Sequence, residues 1–305
     1  MGPLLALVGP TASGKSEAGI ALALALDAEV VSVDSMLVYR GMDVGTAKPS
    51  TAQRRAVPHH LIDVAEPSER FSVARYQELA RATVADIEAR GRLPLLVGGS
   101  VLYMRAVVDD HEIPGTDPAT RADLEREAEA LGAAGLYRRL VSADPVAAAK
   151  IEPGNVRRTV RALEVAAVTG RAFSEFATAW DEYPAGRVQA VGVELPREAL
   201  ADRVRRRVRA MLDAGLLEEV RGLVERGLGG WLTSSRAIGY AEMARHLQGE
   251  MSIEEAAAAT ERRTTNLARR QMAWFRRDPR IHWVAAGPGG AMGVLDELRT
   301  ELEAR

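Results

Sequence analysis

The sequence predicts an α/β protein: a parallel sheet carrying a phosphate-binding loop, flanked by helices, with a helical insertion domain. Three observations predict it. Short apolar runs alternate with helical patterns through the first third of the chain, and a glycine-rich phosphate-loop motif follows the first of those runs. Strand-like runs then disappear between about residues 113 and 186 and return afterwards. Alternation of β and α implies parallel strands joined by crossover helices.

Taken in order, Leu4 to Val8 is a continuous apolar run and reads as a buried strand. Lys15 to Leu26 reads as a helix, Glu29 to Val33 as a β-branched strand, Ser72 to Arg90 as a long helix, and Leu93 to Val97 as another strand. Between residues 113 and 186, Pro114, Pro118, Pro145, Pro153 and Pro184 punctuate amphipathic stretches such as Arg121 to Leu131 and Val156 to Thr169. That stretch is expected to form the insertion, with residues 1–112 and 187–305 making the core domain. Val188 to Leu195 returns as a strand. Helices are expected from Arg197 to Arg226, Ser235 to Leu247 and Ile253 to about Arg277, then a strand at Ile281 to Ala285 and a helix at Val294 to Ala304.

Composition narrows the chemistry. The 305 residues hold 40 Lys and Arg against 42 Asp and Glu and no cysteine, which excludes a disulfide framework, a thiol nucleophile and a cysteine-based zinc site. The five histidines show no metal-ligand spacing, so no catalytic transition metal is expected. The run Leu4 to Val8 is too short for a signal peptide, and no later stretch reaches membrane-spanning length. A cytoplasmic protein without a membrane partner is the expectation. Lys15, Lys48 and Lys150 are the only lysines. An Arg- and Ala-rich coding bias explains the scarcity, yet Lys and Arg are not interchangeable where a compact point charge is needed.

The motif Gly9-Pro10-Thr11-Ala12-Ser13-Gly14-Lys15-Ser16 fits the phosphate-loop pattern at every fixed position. In such a motif backbone N–H groups wrap a polyphosphate, the helix amino terminus adds a favourable dipole, Lys15 supplies a point charge and Ser16 can ligate Mg²⁺. The motif names a pyrophosphate-containing ligand and leaves the reaction open. A second element, Leu95 to Ser100, ends a strand in two glycines and a hydroxyl that either caps the next helix or reaches a phosphate oxygen. Asp34 ends the second strand, and three readings compete for it: a cap, a Mg²⁺ ligand or a general base.

Near the carboxyl end, Arg262-Arg263, Arg269-Arg270 and Arg276-Arg277 recur every seven residues, close to two helical turns, so the pairs share a face. Between Arg262 and Arg280 the only acid is Asp278, which follows the last pair. The pattern fits contact with a phosphate backbone, against the ordinary alternative of a solvated face. Arg157-Arg158-Arg161 and Arg203 to Arg209 are two further basic clusters. Trp274 and Phe275 are expected in the core.

The segments GPTASGKS, VSVDSMLVYRGMDVGTAKP, PHHLIDV and LPLLVGGSVLYMRA, followed by TDPATR, DPVAAAKI, RRTVRALEV, SSRAIGYAEM and RRQMAWFRR, resemble the bacterial tRNA dimethylallyltransferase family over nearly the whole chain. One position departs: Ser100 stands where threonine is usual, keeping the hydroxyl. The resemblance implies transfer of a dimethylallyl group from its diphosphate to the N6 amine of an adenosine beside the anticodon, by a monomer. It implies that Gly9 to Ser16 bind the diphosphate, with Mg²⁺ on Ser16. Asp34 would take the amine proton, while Ser100, Arg207 and Arg203 would stabilise the departing pyrophosphate. It assigns tRNA contact to Asp34, Ser35, Met36 and Leu37, to Ser100 and Arg121, and to Arg157, Arg158, Thr159, Val160 and Arg161. Arg236, Ala237, Ile238, Gly239, Tyr240 and Ala241 would join them, with Arg269, Arg270, Gln271, Met272, Ala273, Trp274, Phe275 and Arg276. A flipped base near Asp34 follows from an amine that is hard to reach in a stacked loop. A small-molecule kinase with a helical lid, or an RNA-binding switch that senses a nucleotide, are the alternatives.

Overall fold

The computed structural model describes residues 3–109 and 111–304. These residues divide into two units, one of residues 1–71, 75–108 and 185–305 and one of residues 72–74 and 109–184, taken at their outer limits.

The first unit opens with β1 (Leu4–Val8), α1 (Lys15–Ala25) and β2 (Ala28–Val33), then a short helix α2 (Thr51–Ala56) and a two-residue strand β3 (His59–His60). α3 (Val73–Ala89), β4 (Leu93–Gly98) and α4 (Val101–Val108) follow. The second unit is helical: α5 (Pro118–Ala143), α6 (Pro145–Lys150), α7 (Val156–Thr169) and α8 (Phe173–Thr178). The chain then continues through β5 (Val188–Glu194), α9 (Arg197–Asp213), α10 (Leu216–Glu225), α11 (Tyr240–Leu247), α12 (Ile253–Phe275), β6 (Ile281–Ala285) and α13 (Leu295–Glu303).

The six strands form one parallel sheet in the order β3-β2-β4-β1-β5-β6. Every residue of β2, and all but the first of β1 and β4, is buried, which is why these strands read as continuous apolar runs rather than alternating ones. Leu7, Leu22, Leu95, Val193, Val204 and Leu298 share one core that joins the sheet to α1, α9 and α13. Removing a side chain of this size from water stabilises the fold by about 2 kcal/mol. In the helical unit, Leu124, Leu136, Leu140, Ile151, Val160 and Leu163 pack a separate core.

Several boundaries differ from the sequence reading, each for a local reason. The helix expected from Arg197 to Arg226 is two helices, because Gly215 adopts φ 94° and serves as the amino cap of α10. The helix expected from Ser235 begins only at Tyr240, after a 3₁₀ turn at Ser234–Arg236. α5 is interrupted at Gly132, with φ 70° and ψ 168°. α2 and β3 were missed because six and two residues carry too little periodicity to register.

Candidate active site

Strand register decides what meets at the carboxyl edge of the sheet. Val8 and Val33 both pair with Gly98, so the segments beginning at Gly9, Asp34 and Gly99 leave the edge side by side. The connections from β1 and β4 depart in opposite directions, towards β2 and β5, which makes the space above this neighbouring pair the crevice where such sheets bind ligands.

The loop after β1 is built to present its backbone. Gly14 adopts φ 88° and Ala12 φ 65°, and α1 starts at Lys15 without a side-chain cap, leaving the first-turn N–H groups available to an anion. The left-handed φ at Gly14 is what calls for glycine there, and a β-carbon at this position would lie 2.9 Å from an Arg203 nitrogen. Lys15 is buried, and its ammonium donates to the Pro10 carbonyl at 3.0 Å. Burial pushes its pKa down to about 8, with Asp34 pulling it up and Arg207 pushing it further down. The Ser16 side chain is exposed, whereas Ser13 is buried and its hydroxyl has no partner among the described residues.

A cavity of about 420 Å³ opens beside this loop and is lined by Lys15, Ser16, Ala47, Arg203, Arg206 and Arg207, with Glu17 the one carboxylate on its wall. Four cations against one carboxylate make an anion site. Arg207 is pulled below the ordinary guanidinium pKa by burial and pushed back by Asp34. Arg203 does more than face the cavity: it donates to Ala12 O at 2.7 Å and Pro288 O at 3.2 Å, bracing the phosphate loop. Arg206 was not singled out from the sequence, because it is indistinguishable from its neighbours in the Arg203 to Arg209 run.

Asp34 accepts from the Met36 N–H at 2.8 Å through Oδ1, so it does form the local turn that one reading required. Its charge also reaches Lys15, Arg207, Tyr76 and Tyr103. The rings of Tyr76 and Tyr103 stack at 3.9 Å, and burial raises both phenol pKa values, keeping them neutral beside the carboxylate. Ser100 caps α4, accepting from Tyr103 N at 3.4 Å.

The segment between Tyr39 and Lys48 closes one side of the cavity through Ala47, which holds φ 52°. The Lys48 side chain is 2% exposed and donates to Tyr39 O, to Asp43 at 2.7 Å and to Asp63 at 2.5 Å, which makes it the anchor of this loop. At the loop's other side, Glu219 accepts from the N–H groups of Asp43, Val44 and Gly45.

The residues expected at RNA separate into three groups. Arg157 and Arg158 on α7, Arg236, and Arg269 and Arg270 on α12 are exposed without an ion pair among the described residues. Others are committed within the protein. Arg121 and Arg161 both bind the buried Glu164, and burial raises that carboxyl's pKa less than the two guanidinium groups lower it. Arg276 pairs with Glu194, and Arg263 with Glu242, so the stripe that lacks acids in sequence acquires two from other elements. Gln271 accepts from Thr11 N at 2.8 Å. In a third group, Thr159, Val160, Ala237, Tyr240 and Phe275 are buried. Trp274 corrects the opposite expectation, being 49% exposed with Arg277 4.9 Å over its ring. Ser35, Met36, Leu37, Ile238, Ala241 and Met272 are partly exposed, Ala273 is exposed, and Gly239 is buried as the amino cap of α11.

A parallel sheet with a phosphate-loop motif and a cationic cavity beside it at the switch point defines the class: a phosphate-loop α/β protein. A family model described as IPP transferase matches residues 37–278. The chain is 54% identical to a tRNA dimethylallyltransferase of Salinispora arenicola over 98% of this chain and 86% of that one. It is 52% identical to that of Kineococcus radiotolerans, over 99% and 96%. Among solved structures, a tRNA isopentenylpyrophosphate transferase of Bacillus halodurans matches with a TM-score of 0.70 at 38% identity, over 99% of this chain and 97% of that one. A eukaryotic dimethylallyltransferase acting on tRNA matches with a TM-score of 0.81 at 25% identity, over 98% and 78%. The chain belongs to the IPP transferase family, and is an enzyme that transfers prenyl groups.

Proposed function

We propose that this chain transfers the dimethylallyl group of dimethylallyl diphosphate to the N6 amine of the tRNA adenosine on the 3′ side of the anticodon, releasing pyrophosphate. The observation that supports it best is the row formed by Gly9, Asp34 and Gly99, where a phosphate loop and a carboxylate leave neighbouring strands. A diphosphate held by the loop then has its allylic carbon beside a group able to take a proton.

The adenine nitrogen attacks the allylic carbon, the carbon–oxygen bond breaks, and its electron pair leaves on pyrophosphate. Asp34 takes the amine proton as the new bond forms, its Oδ1 already oriented by Met36 N. Stabilising the leaving charge is the largest task, and Lys15, Arg203, Arg206 and Arg207 line the cavity for it. The Ser16 hydroxyl would hold a Mg²⁺ ion, since that side chain is exposed on the same wall in the first turn of α1. Such an ion supplies further neutralisation of the leaving group when bound. Ser100 lies at the same edge, its hydroxyl capping α4.

The tRNA, bound through its anticodon stem-loop to a monomer, is gripped by Arg236, Arg269 and Arg270, and by Arg157 and Arg158 of the helical unit, which serves as the insertion domain for RNA. Their free guanidinium groups support this. Among the described residues no helix is long and apolar enough to cross a membrane. The test is incubation with dimethylallyl diphosphate, Mg²⁺ and unmodified tRNA, followed by nucleoside mass analysis. An adenosine heavier by one five-carbon group is expected. ATP consumption with a small acceptor and no modified adenosine would establish a kinase instead.

A further inference from the structure

The wall of the cavity is held from behind by a carboxylate that does not line it. Glu219, in the first turn of α10, accepts through Oε2 from Asp43 N and Val44 N, both at 2.8 Å, and through Oε1 from Gly45 N at 3.2 Å. The Tyr240 hydroxyl donates to Oε1 at 2.5 Å. Three consecutive N–H groups converging on one carboxylate form an anion nest. Tyr240 is fully buried, and a β-carbon on Gly45 would fall 2.4 Å from its ring, so the loop lies directly on that side chain.

From this clamp the cavity is one residue away. The Thr46 carbonyl accepts from Arg207 at 3.2 Å, which is the guanidinium's single protein hydrogen bond among the described residues. Ala47 follows as part of the cavity wall. Lys48 fastens the far end of the loop to Tyr39 and Asp63 and also reaches the Asp43 carboxylate, while Glu219 gathers the backbone amides that lead to the carbonyl facing Arg207.

We infer that Glu219 is a positioning residue for the transfer reaction: it gathers the Asp43 to Gly45 amides, holds the Thr46 carbonyl, and through it aims Arg207 at the leaving diphosphate. This rests on the reading that Arg207 faces that diphosphate. The same carboxylate also ties the donor loop to Tyr240, within the segment from Arg236 to Ala241 expected at the RNA.

The test uses the full chain with dimethylallyl diphosphate and unmodified tRNA. Glu219→Gln keeps the shape but must turn an NH₂ group towards either the Asp43 and Val44 amides or the Gly45 amide and Tyr240 hydroxyl. We expect kcat/KM for the diphosphate to fall about tenfold or more, as small misplacements of an orienting group do, with KM for tRNA within about twofold of wild type. In an Arg207→Ala background the same substitution should cost nothing further, since both act through one guanidinium. Additive losses in that cycle, or an equal rise in the tRNA KM, overturn the inference by making Glu219 a general scaffold residue. If Glu219→Gln does not fold, Tyr240→Phe, which keeps the ring beneath Gly45, enters the same cycle; a smaller loss confined to the diphosphate is expected, and an unchanged diphosphate kcat/KM overturns the inference. A wild-type protein that forms no modified adenosine rejects the functional reading itself, which separates the two failures.

Discussion

The side-chain carbonyl of Gln271 accepts a hydrogen bond from the backbone N–H of Thr11 at 2.8 Å, joining α12 to the phosphate loop across 260 residues of sequence. A β-carbon on Gly99 would lie 2.5 Å from the Gln271 amide nitrogen, so the same carboxamide also abuts the loop after β4. The residue is flanked by exposed Arg270 and partly exposed Met272, and it links an outer arginine face to the phosphate loop.

Gln271→Ala is therefore expected to lower kcat/KM for dimethylallyl diphosphate about tenfold, corresponding to one lost hydrogen bond of about 1 kcal/mol plus the loosened loop. The dissociation constant for tRNA should change less than about twofold. An equal loss in both would instead return Gln271 to direct RNA contact.

Asp34→Asn preserves an acceptor for Met36 N and removes the proton acceptor. Single-turnover rates should fall about 10²- to 10⁴-fold while tRNA affinity holds. Parallel losses of rate and affinity would assign Asp34 to binding.

Replacing Arg269 and Arg270 by glutamine should weaken tRNA binding and reduce the slope of log K against log salt by about 1 to 2. Both side chains are exposed and unpaired among the described residues, so the fold should be indifferent to the change. An unchanged slope would make this face a solvated one.

Lys15 gives a pH dependence with a definite sign. Its folded pKa is pushed down to about 8 by burial, from 10.5, so the free enzyme loses the ammonium as pH rises through about 8. Measured kcat/KM for the diphosphate should decline across that value, a limb absent from Lys15→Arg. Stability moves the other way. Between about 8 and 10.5 the unfolded chain binds more protons at this site, so the contribution of Lys15 to stability rises with pH over that window.

Lys48→Met should destabilise the fold by about 2 kcal/mol, read as a lower urea midpoint at constant m-value, because Tyr39 O, Asp43 and Asp63 lose a buried donor. An unaltered midpoint would remove Lys48 from the loop's support.

Much of this was legible in the sequence for a physical reason. β1, β2 and β4 are buried on both faces, so their apolar runs announce them, and the phosphate loop is a contiguous backbone device whose residues must be adjacent. The tRNA-modifying family was equally legible, since its motifs run through nearly the whole chain. The two-residue β3 and the break at Gly215 were not, because a short edge strand and a single left-handed residue leave no periodic trace.

By itself, then, the sequence determined the parallel α/β architecture, the phosphate-loop motif at the end of β1 and the family. Only the tertiary structure decided which arginines are free. Arg121, Arg161, Arg263 and Arg276 look identical in sequence to Arg157, Arg158, Arg269 and Arg270, yet Glu164, Glu242 and Glu194 claim the first four. It also turned Lys48 into an anchor, and brought Glu219 to the Asp43 to Gly45 amides and Gln271 to the phosphate loop. Local pattern encodes periodicity and contiguous loops; the partner of a charge is set by packing between elements far apart in the chain, where only folded geometry brings the two together.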